Sequence, residues 1–479
     1  MRLLVKKIVI FYTLSLITGT VTADSRWLAS GEVKEVYDKN CASCHGKQLE
    51  GGMAASMLDD TWKTDGSDEA LFKAIKLGMP TAGMPAWNQQ LDDKQIRALV
   101  TFIKESKYLA NSRKKSVSDK ANVYTSELHN FKVETLLKSD NIIWAFDFLP
   151  NGDLIYTERE GNLMLFSQGK PVKIKNTPKV WVHGQGGLLD VRVDPDYQKN
   201  GWIYISYSEL SGKNEQDQEI GSLTVARGKI NNNQWQKHTI LYTPEKAKHV
   251  NRGWHFGSRF AFQGDYLFFS LGDEGQQDLA QSKEIQSGKI HRIFKDGRIP
   301  KDNPFVNEKA SLPTIWTYGN RNPQGLAEHP VTGEIWSTEH GPRGGDELNL
   351  ILKGVNYGWP KVSFGINYNG TPLTPHTSLP GMQSPIHQWT PSIAVAGINF
   401  YTGDQFPGWK NDLFVSSLAF QELRRLRLNK NKVVSDEVIL KGLGRIRDVA
   451  TGPEGDLYIA INQKSDNENR IVKLSPSKP

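Results

Sequence analysis

A short pattern recurs six times beyond residue 150: a turn, an acidic or polar residue, then an apolar β-forming run. It reads Gly152-Asp153-Leu154-Ile155-Tyr156, Gly201-Trp202-Ile203-Tyr204-Ile205 and Asp265-Tyr266-Leu267-Phe268-Phe269. It returns as Gly333-Glu334-Ile335-Trp336, Asn411-Asp412-Leu413-Phe414-Val415 and Gly455-Asp456-Leu457-Tyr458-Ile459. The copies lie 44 to 78 residues apart. A repeat of that length cannot bury its apolar faces alone. Six four-stranded sheets stacked radially can, so the pattern predicts a six-bladed β-propeller. The 43 Gly, 23 Pro and 13 Trp of the 479 residues suit such a turn-rich β architecture, and two Cys cannot build a disulfide framework. Uneven spacing requires long loops, where binding groups concentrate. A pair of β-sandwiches with coincidental turns is the alternative. Ring closure requires a late strand, Arg470 to Leu474, to pair with Phe131–Leu137, which removes the open edges.

Ahead of the repeats lies a segment of different character. Both cysteines fall in Cys41-Ala42-Ser43-Cys44-His45, the C-x-x-C-H pattern of covalent haem attachment. Two thiolates one helical turn apart reach the two vinyl groups of one porphyrin, and the next residue sets an imidazole on the iron. A redox dithiol would call for a βαβ setting, and a zinc site for further Cys or clustered His; neither is present nearby. Val33, Val36 and Tyr37 lead into Cys41 and Cys44 at helical spacing. Residues 92–105 predict a second helix, with Asp92 as cap, Gln95 closing a capping box, and Ile96, Leu99, Val100 and Ile103 on its inner face. A sixth iron ligand is expected from a Met. Met84, in Gly83-Met84-Pro85, is the candidate because the following Pro keeps the backbone extended. Met79, also followed by Pro, is the competitor. This segment resembles a small all-α class I cytochrome c with one covalent haem c.

Residues 1–23 read as a cleaved signal peptide: Arg2, Lys6 and Lys7, then an apolar stretch from Ile8 to Gly19, then Val21-Thr22-Ala23. The stretch falls short of the roughly 20 residues a spanning helix needs, although retention as an anchor is the alternative. The expected location is periplasmic or secreted, without stable membrane insertion. The formal charge of +7 drops to +4 once the three basic leader residues are gone, too little to imply nucleic acid as a partner. The expected division is a cytochrome domain at 24–110, a polar linker at 111–130 and the propeller at 131–479.

Polar residues costly to bury recur at similar offsets from the repeated strands. Gln185, His255, Arg321 and Arg447 lie 18, 12, 14 and 10 residues before Ile203, Leu267, Ile335 and Leu457, and Asp273 and Gly341 lie 6 residues after Leu267 and Ile335. In a propeller, equivalent positions converge on one axis, so these groups are expected to ring one pocket. Seven motifs, in order, carry a resemblance. They are Gly184-Gln185-Gly186-Gly187-Leu188-Leu189-Asp190, His255-Phe256-Gly257-Ser258-Arg259, Leu271-Gly272-Asp273-Glu274-Gly275, Arg321-Asn322-Pro323-Gln324-Gly325, His340-Gly341-Pro342 through Asp346-Glu347-Leu348-Asn349, Asn356-Tyr357-Gly358-Trp359-Pro360 and Arg445-Ile446-Arg447-Asp448. Together they resemble the soluble aldose (glucose/sorbosone-type) sugar dehydrogenases that use pyrroloquinoline quinone (PQQ).

The resemblance implies His255 as general base, Asp273 as its orienting partner, and Gln185 and Arg321 as contacts to sugar and quinone. It implies that Asn322, Arg445 and Arg447 hold the cofactor and that Trp389 stacks near it. It implies calcium on the carbonyls of Gly341 and Pro342, and a second calcium at Asp346, Glu347 and the Tyr357 carbonyl. The chemistry agrees: a planar tricarboxylate calls for guanidinium forks, an anomeric hydroxyl suits an imidazole base, and calcium takes hard oxygen donors. The family often has a Lys after Ser417-Leu418, where this chain has Ala419, which puts one cofactor contact in doubt. The expected activity is oxidation of an aldose to its lactone, with electrons passing to the haem and then to a respiratory acceptor. A calcium-dependent propeller lactonase, or a binding propeller carrying a cytochrome, is the alternative.

Overall fold

The computed structural model describes residues 29–59, 61–112, 122–463 and 468–477. The leader at 1–23 and the middle of the expected linker, 113–121, lie outside the described residues. The first domain holds α1 (Glu32–Asn40), α2 (Ala42–His45), α3 (Asp68–Leu77) and α4 (Asp93–Ser112). Val33 and Tyr37 on α1, Leu71, Phe72 and Ile75 on α3, and Ile96, Leu99, Val100 and Ile103 on α4 share one core. The α4 start is a capping box: Asp92 Oδ1 accepts from Gln95 N at 2.8 Å, and Gln95 Oε1 accepts from Asp92 N at 3.0 Å. The helix runs past the expected stop at 105 because its last turns dock on the second domain, where Tyr108 stacks on Phe420 with centroids 4.5 Å apart.

The second domain is six sheets around an axis. Blades 1 to 5 are each four consecutive antiparallel strands, and their first strands are Ile143–Phe148, Leu188–Val193, Phe260–Gln263, Pro323–Glu328 and Val395–Phe400. Blade 6 begins at Arg445–Thr451 and is completed by the N-terminal strand Asn130–Ser139, which pairs with Asn469–Pro476, setting Val133 opposite Leu474 and Thr135 opposite Val472. This is the expected closure. Val123–Thr125 adds a fifth strand at that edge, so ordered structure occupies both ends of the expected 111–130 linker.

Every copy of the repeat is the second strand of its blade. That strand is paired on both edges and covered on both faces by neighbouring blades, so it opens on consecutive apolar residues and does not alternate. Leu154–Glu158, Ile335–Glu339 and Leu413–Ser417 are buried at every position. Six apolar clusters fill the gaps between successive blades, from blades 1 and 2 round to 6 and 1. First strands of adjacent blades touch all round the ring, so they line the axis.

Candidate active site

Strand direction alternates within a blade, so the start of each first strand and the end of each second strand lie at the same end of the ring. Gln185, His255, Arg321 and Asn322 precede first strands, whereas Arg159, Asp273, Gly341 and Ala419 follow second strands. All therefore gather at one mouth, and hydrogen bonds link them across blades. Gln185 Oε1 accepts from His255 N at 2.9 Å. His255 Nδ1 lies 2.6 Å from Asp273 Oδ1, Asp273 N donates to Arg321 O at 2.7 Å, and Arg321 Nη1 donates to Gly341 O at 2.7 Å. Asn322 Oδ1 accepts from Gly257 N at 3.1 Å.

Asp273 is fully buried and accepts three bonds: Oδ1 also takes Gly275 N, and Oδ2 takes Trp359 Nε1, both at 2.8 Å. An acceptor-only carboxylate at Nδ1 makes that nitrogen the protonated one and leaves Nε2 basic. Burial and then the Arg321 charge lower the His255 pKa, so the ring is neutral at neutral pH. His255 sits at φ 53°, a left-handed conformation that costs a β-carbon residue about 1–3 kcal/mol and clusters at functional sites. Gly272 allows this loop to close: a Cβ there would lie 2.1 Å from His255 O.

Opposite this pair the pocket is strongly cationic. Arg447 is pushed down to about 9 by burial and then by Arg445, Arg259 and Arg159. Arg259 is satisfied by Asp448 at 3.0 Å and Asp190 at 3.3 Å, but Arg447 bonds only a neutral partner among those resolved, Asn462 Oδ1. Arg321 Nε, Arg159 Nε and His340 Nε2 are buried without a hydrogen-bond partner among the described residues. Crowded, under-bonded guanidinium groups fit a planar polyanion such as PQQ. Arg159 and His340 were not expected. The His340-Gly341-Pro342 motif signalled the second, whereas Arg159 follows the first repeat with no motif of its own. Trp389 is not brought here. It lies on the outer strand of blade 4, far from the axis, in the core between blades 4 and 5, with its indole donating to Asp436 at 3.0 Å.

Below the mouth, Glu339 and Glu347 face each other across neighbouring strands of blade 4. Directly opposed like charges are destabilising, and burial raises both pKa values, Glu339 to about 7. A cavity with room for one water- or cation-sized occupant is lined by these two carboxylates and Arg321 together with Gly341, Pro342, Gly345 and Tyr357. No three His, Cys, Asp or Glu side chains converge among the described residues, so a cation here would take carbonyls as well, a donor set that fits calcium. Glu339 was missed, although a Glu ending an apolar second strand is a visible signal. Asp346 is committed elsewhere, accepting from Gly341 N at 3.0 Å and Val395 N at 3.1 Å. The Pro342 carbonyl already accepts from Ser392 Oγ at 2.8 Å and Gly345 N at 3.1 Å.

In the helical domain, Cys41 and Cys44 are free thiols one turn apart. His45 Nδ1 is buried without a partner, and burial lowers the ring's pKa. Met84, and not Met79, joins Cys41 at the half-buried rim of the apolar core, with Met57, Leu58, Trp62 and Trp87. A two-way bridge shapes the Met loop: Met79 N donates to Met84 O at 2.9 Å, and Met84 N to Met79 O at 3.2 Å. Half-buried apolar groups around two thiols, an imidazole and a thioether fit a covalent haem.

Residues 140–473 match the Glucose / Sorbosone dehydrogenase family, and residues 30–103 match the family described as Cytochrome C oxidase, cbb3-type, subunit III. The chain is 39% identical over 351 residues to Aldose sugar dehydrogenase YliI of Escherichia coli (strain K12), covering 72% of this chain and 92% of that protein. It is 27% identical over 424 residues to Quinoprotein glucose dehydrogenase B of Acinetobacter calcoaceticus, covering 71% and 86%. The crystal structure of the soluble aldose sugar dehydrogenase from Escherichia coli in the apo-form matches with a TM-score of 0.67 at 36% identity, over 72% of this chain and all of that one.

Proposed function

The chain belongs to the glucose/sorbosone dehydrogenase family and carries a cytochrome c domain ahead of it, and from that premise we propose that it oxidises aldose sugars at C1 to lactones, with PQQ and a covalent haem c as successive electron carriers. The observation that carries this reading is the His255–Asp273 pair facing under-bonded guanidinium groups in one mouth. When bound, PQQ supplies a two-electron hydride acceptor and the haem a one-electron acceptor, so the haem turns over twice per sugar.

Oxidation removes a hydride from C1 and a proton from the C1 hydroxyl. His255 Nε2 takes that proton, and Asp273 fixes the ring and stabilises the resulting imidazolium. Arg321, whose charge already disfavours the imidazolium, stabilises negative charge developing on the sugar oxygen. Trp254, 55% exposed and lying over Gly275 beside the base, offers the sugar's C–H face an apolar platform. Arg445, Arg447 and Asn322 would hold PQQ by its carboxylates and carbonyls. Glu339, Glu347 and the Gly341 and Tyr357 carbonyls would hold calcium.

Haem attachment and the leader-like N-terminus support an extracytoplasmic location and a respiratory acceptor. No helix among the described residues is long and apolar enough to cross a membrane. The test is stopped-flow spectroscopy on protein loaded with PQQ and calcium. Added aldose reduces the haem in step with lactone formation; a haem that stays oxidised while sugar is consumed refutes the transfer.

A further inference from the structure

The loop at residues 341–345 has two faces. One lines the carboxylate cavity through Gly341, Pro342 and Gly345, and its Gly341 carbonyl accepts from Arg321. The other lies against the cytochrome domain. Arg343, 1% exposed, points into that domain and meets Glu105 on α4, which is fully buried. Arg343 Nε reaches Glu105 at 2.9 and 3.1 Å and Nη2 reaches it at 2.6 Å, while Nη1 donates to Ser30 O at 2.9 Å. Ala29 N donates to Glu105 Oε2 at 2.8 Å. A desolvated, bidentate, fully bonded pair holds one geometry, and removing either member strands the other charge.

The backbone is equally tied. Arg343 and Ile366 exchange hydrogen bonds at 3.0 and 2.8 Å, and Ile366 packs inside the cytochrome core beside Val33 and Tyr37. Thr101 of α4 donates to Phe364 O at 3.3 Å and lies against Gly344. The loop has no slack, since a Cβ at Gly341 would lie 1.7 Å from Gly345 O. Movement at Arg343 therefore displaces the Gly341 carbonyl.

We propose that Glu105 of the cytochrome domain is a positioning residue for the propeller's cation site, holding the 341–345 loop in its liganding shape through Arg343. The acceptor domain thus forms part of the wall of the site it drains. This rests on the reading that calcium occupies the cavity behind the loop.

Outer partners that orient a metal's ligands are worth about 10–100-fold in affinity. The experiment is a calorimetric titration of calcium alone into the full haem-containing chain, without PQQ. Glu105→Gln binds calcium about 10–100-fold more weakly than the unaltered chain, with an unchanged haem spectrum. Tyr108→Phe, which loses the hydroxyl bonds to Glu422 and Lys441 at the same interface but away from the loop, binds as the unaltered chain does. Glu105→Asp keeps the charge and shortens its reach; it gives an intermediate loss and serves if Glu105→Gln does not fold. Calcium affinity within about twofold of normal in Glu105→Gln overturns the proposal. An unaltered chain that binds no calcium sinks the calcium reading itself, and this proposal with it.

Discussion

Replacing Asp273 by Asn tests the proposed base without changing its shape. The carboxylate receives His255 Nδ1 at 2.6 Å, Gly275 N at 2.8 Å and Trp359 Nε1 at 2.8 Å. An amide has one accepting oxygen, so its amino group faces one donor, Trp359, if it takes the Oδ2 place and two, His255 and Gly275 N, if it takes the Oδ1 place. If the amino group faces Trp359, a buried indole N–H is stranded at a cost of about 1–3 kcal/mol in stability. If it faces His255 it also faces Gly275 N and strands that donor, and the ring must accept at Nδ1 and carry its proton on Nε2, which removes the base. General-base catalysis contributes about 10²–10⁴ in rate, or about 3–5.5 kcal/mol at 1.36 kcal/mol per decade, so the first arrangement costs stability and the second costs activity as well. Asp273 also raises the His255 pKa, against burial and Arg321, which lower it. The neutral amide would leave only the lowering influences, and the acid limb of kcat/KM would move to lower pH while the plateau falls. The assay is dye-linked turnover across the pH range at saturating PQQ and calcium, with PQQ uptake by equilibrium dialysis as the control. A plateau within about fivefold of normal, or an acid limb displaced upward, refutes the assignment.

Arg447→Met removes a charge crowded by Arg445, Arg259 and Arg159 while keeping the apolar stem. PQQ uptake by dialysis weakens about 10–100-fold, the worth of one charge-assisted contact, while the apo-form melts at a higher temperature by calorimetry. Met84→Ala opens the haem iron to added imidazole at micromolar concentration, read in the visible spectrum, whereas Met79→Ala leaves the iron closed; the reverse pattern exchanges the two assignments.

The propeller was legible because its second strands are buried on every side and open on runs of large apolar residues, with polar residues gathered toward their ends. Leu457–Asn462, buried throughout, could not have read otherwise. Their places just before first strands or just after second strands bring Gln185, His255, Asp273 and Arg321 into one hydrogen-bonded chain. The capping box at Asp92 was legible because it is local, but the end of α4 was not. Residues 106–112 are polar enough to pass for linker, and only packing of Tyr108 on Phe420 makes them helix. Trp389 was expected near the cofactor from the family resemblance alone, with no motif of its own to say which strand of a blade carries it, and the structure sets it on an outer strand. Glu105 carried no signal in the sequence, because its partner lies 238 residues away.

Two neighbouring clusters at this end of the ring are crowded with charge of opposite sign. Around Arg447, burial and like charges oppose the cation; around Glu339 and Glu347, burial and their mutual proximity oppose the anions. A carboxylate whose folded pKa is raised costs the apo-form stability as pH rises through that pKa, near 7 for Glu339. On the proposed reading a bound divalent cation would remove that cost, so calcium would compete with protons for the same oxygens and its uptake near neutral pH would release protons. A polyanion at the arginines acts in the opposite sense on groups a few residues away, since Arg321 touches both sites through its bond to Gly341 O. Each ligand therefore relieves repulsion that the folded chain carries without it, and a ligand bound only to the folded state stabilises it by RT ln(1 + [L]/Kd). Because the Gly341 loop is gripped from behind by α4, the relief at the cation site also reaches the cytochrome interface. If Glu105 positions the cation site as proposed above, loading the propeller and docking the cytochrome domain would be linked equilibria.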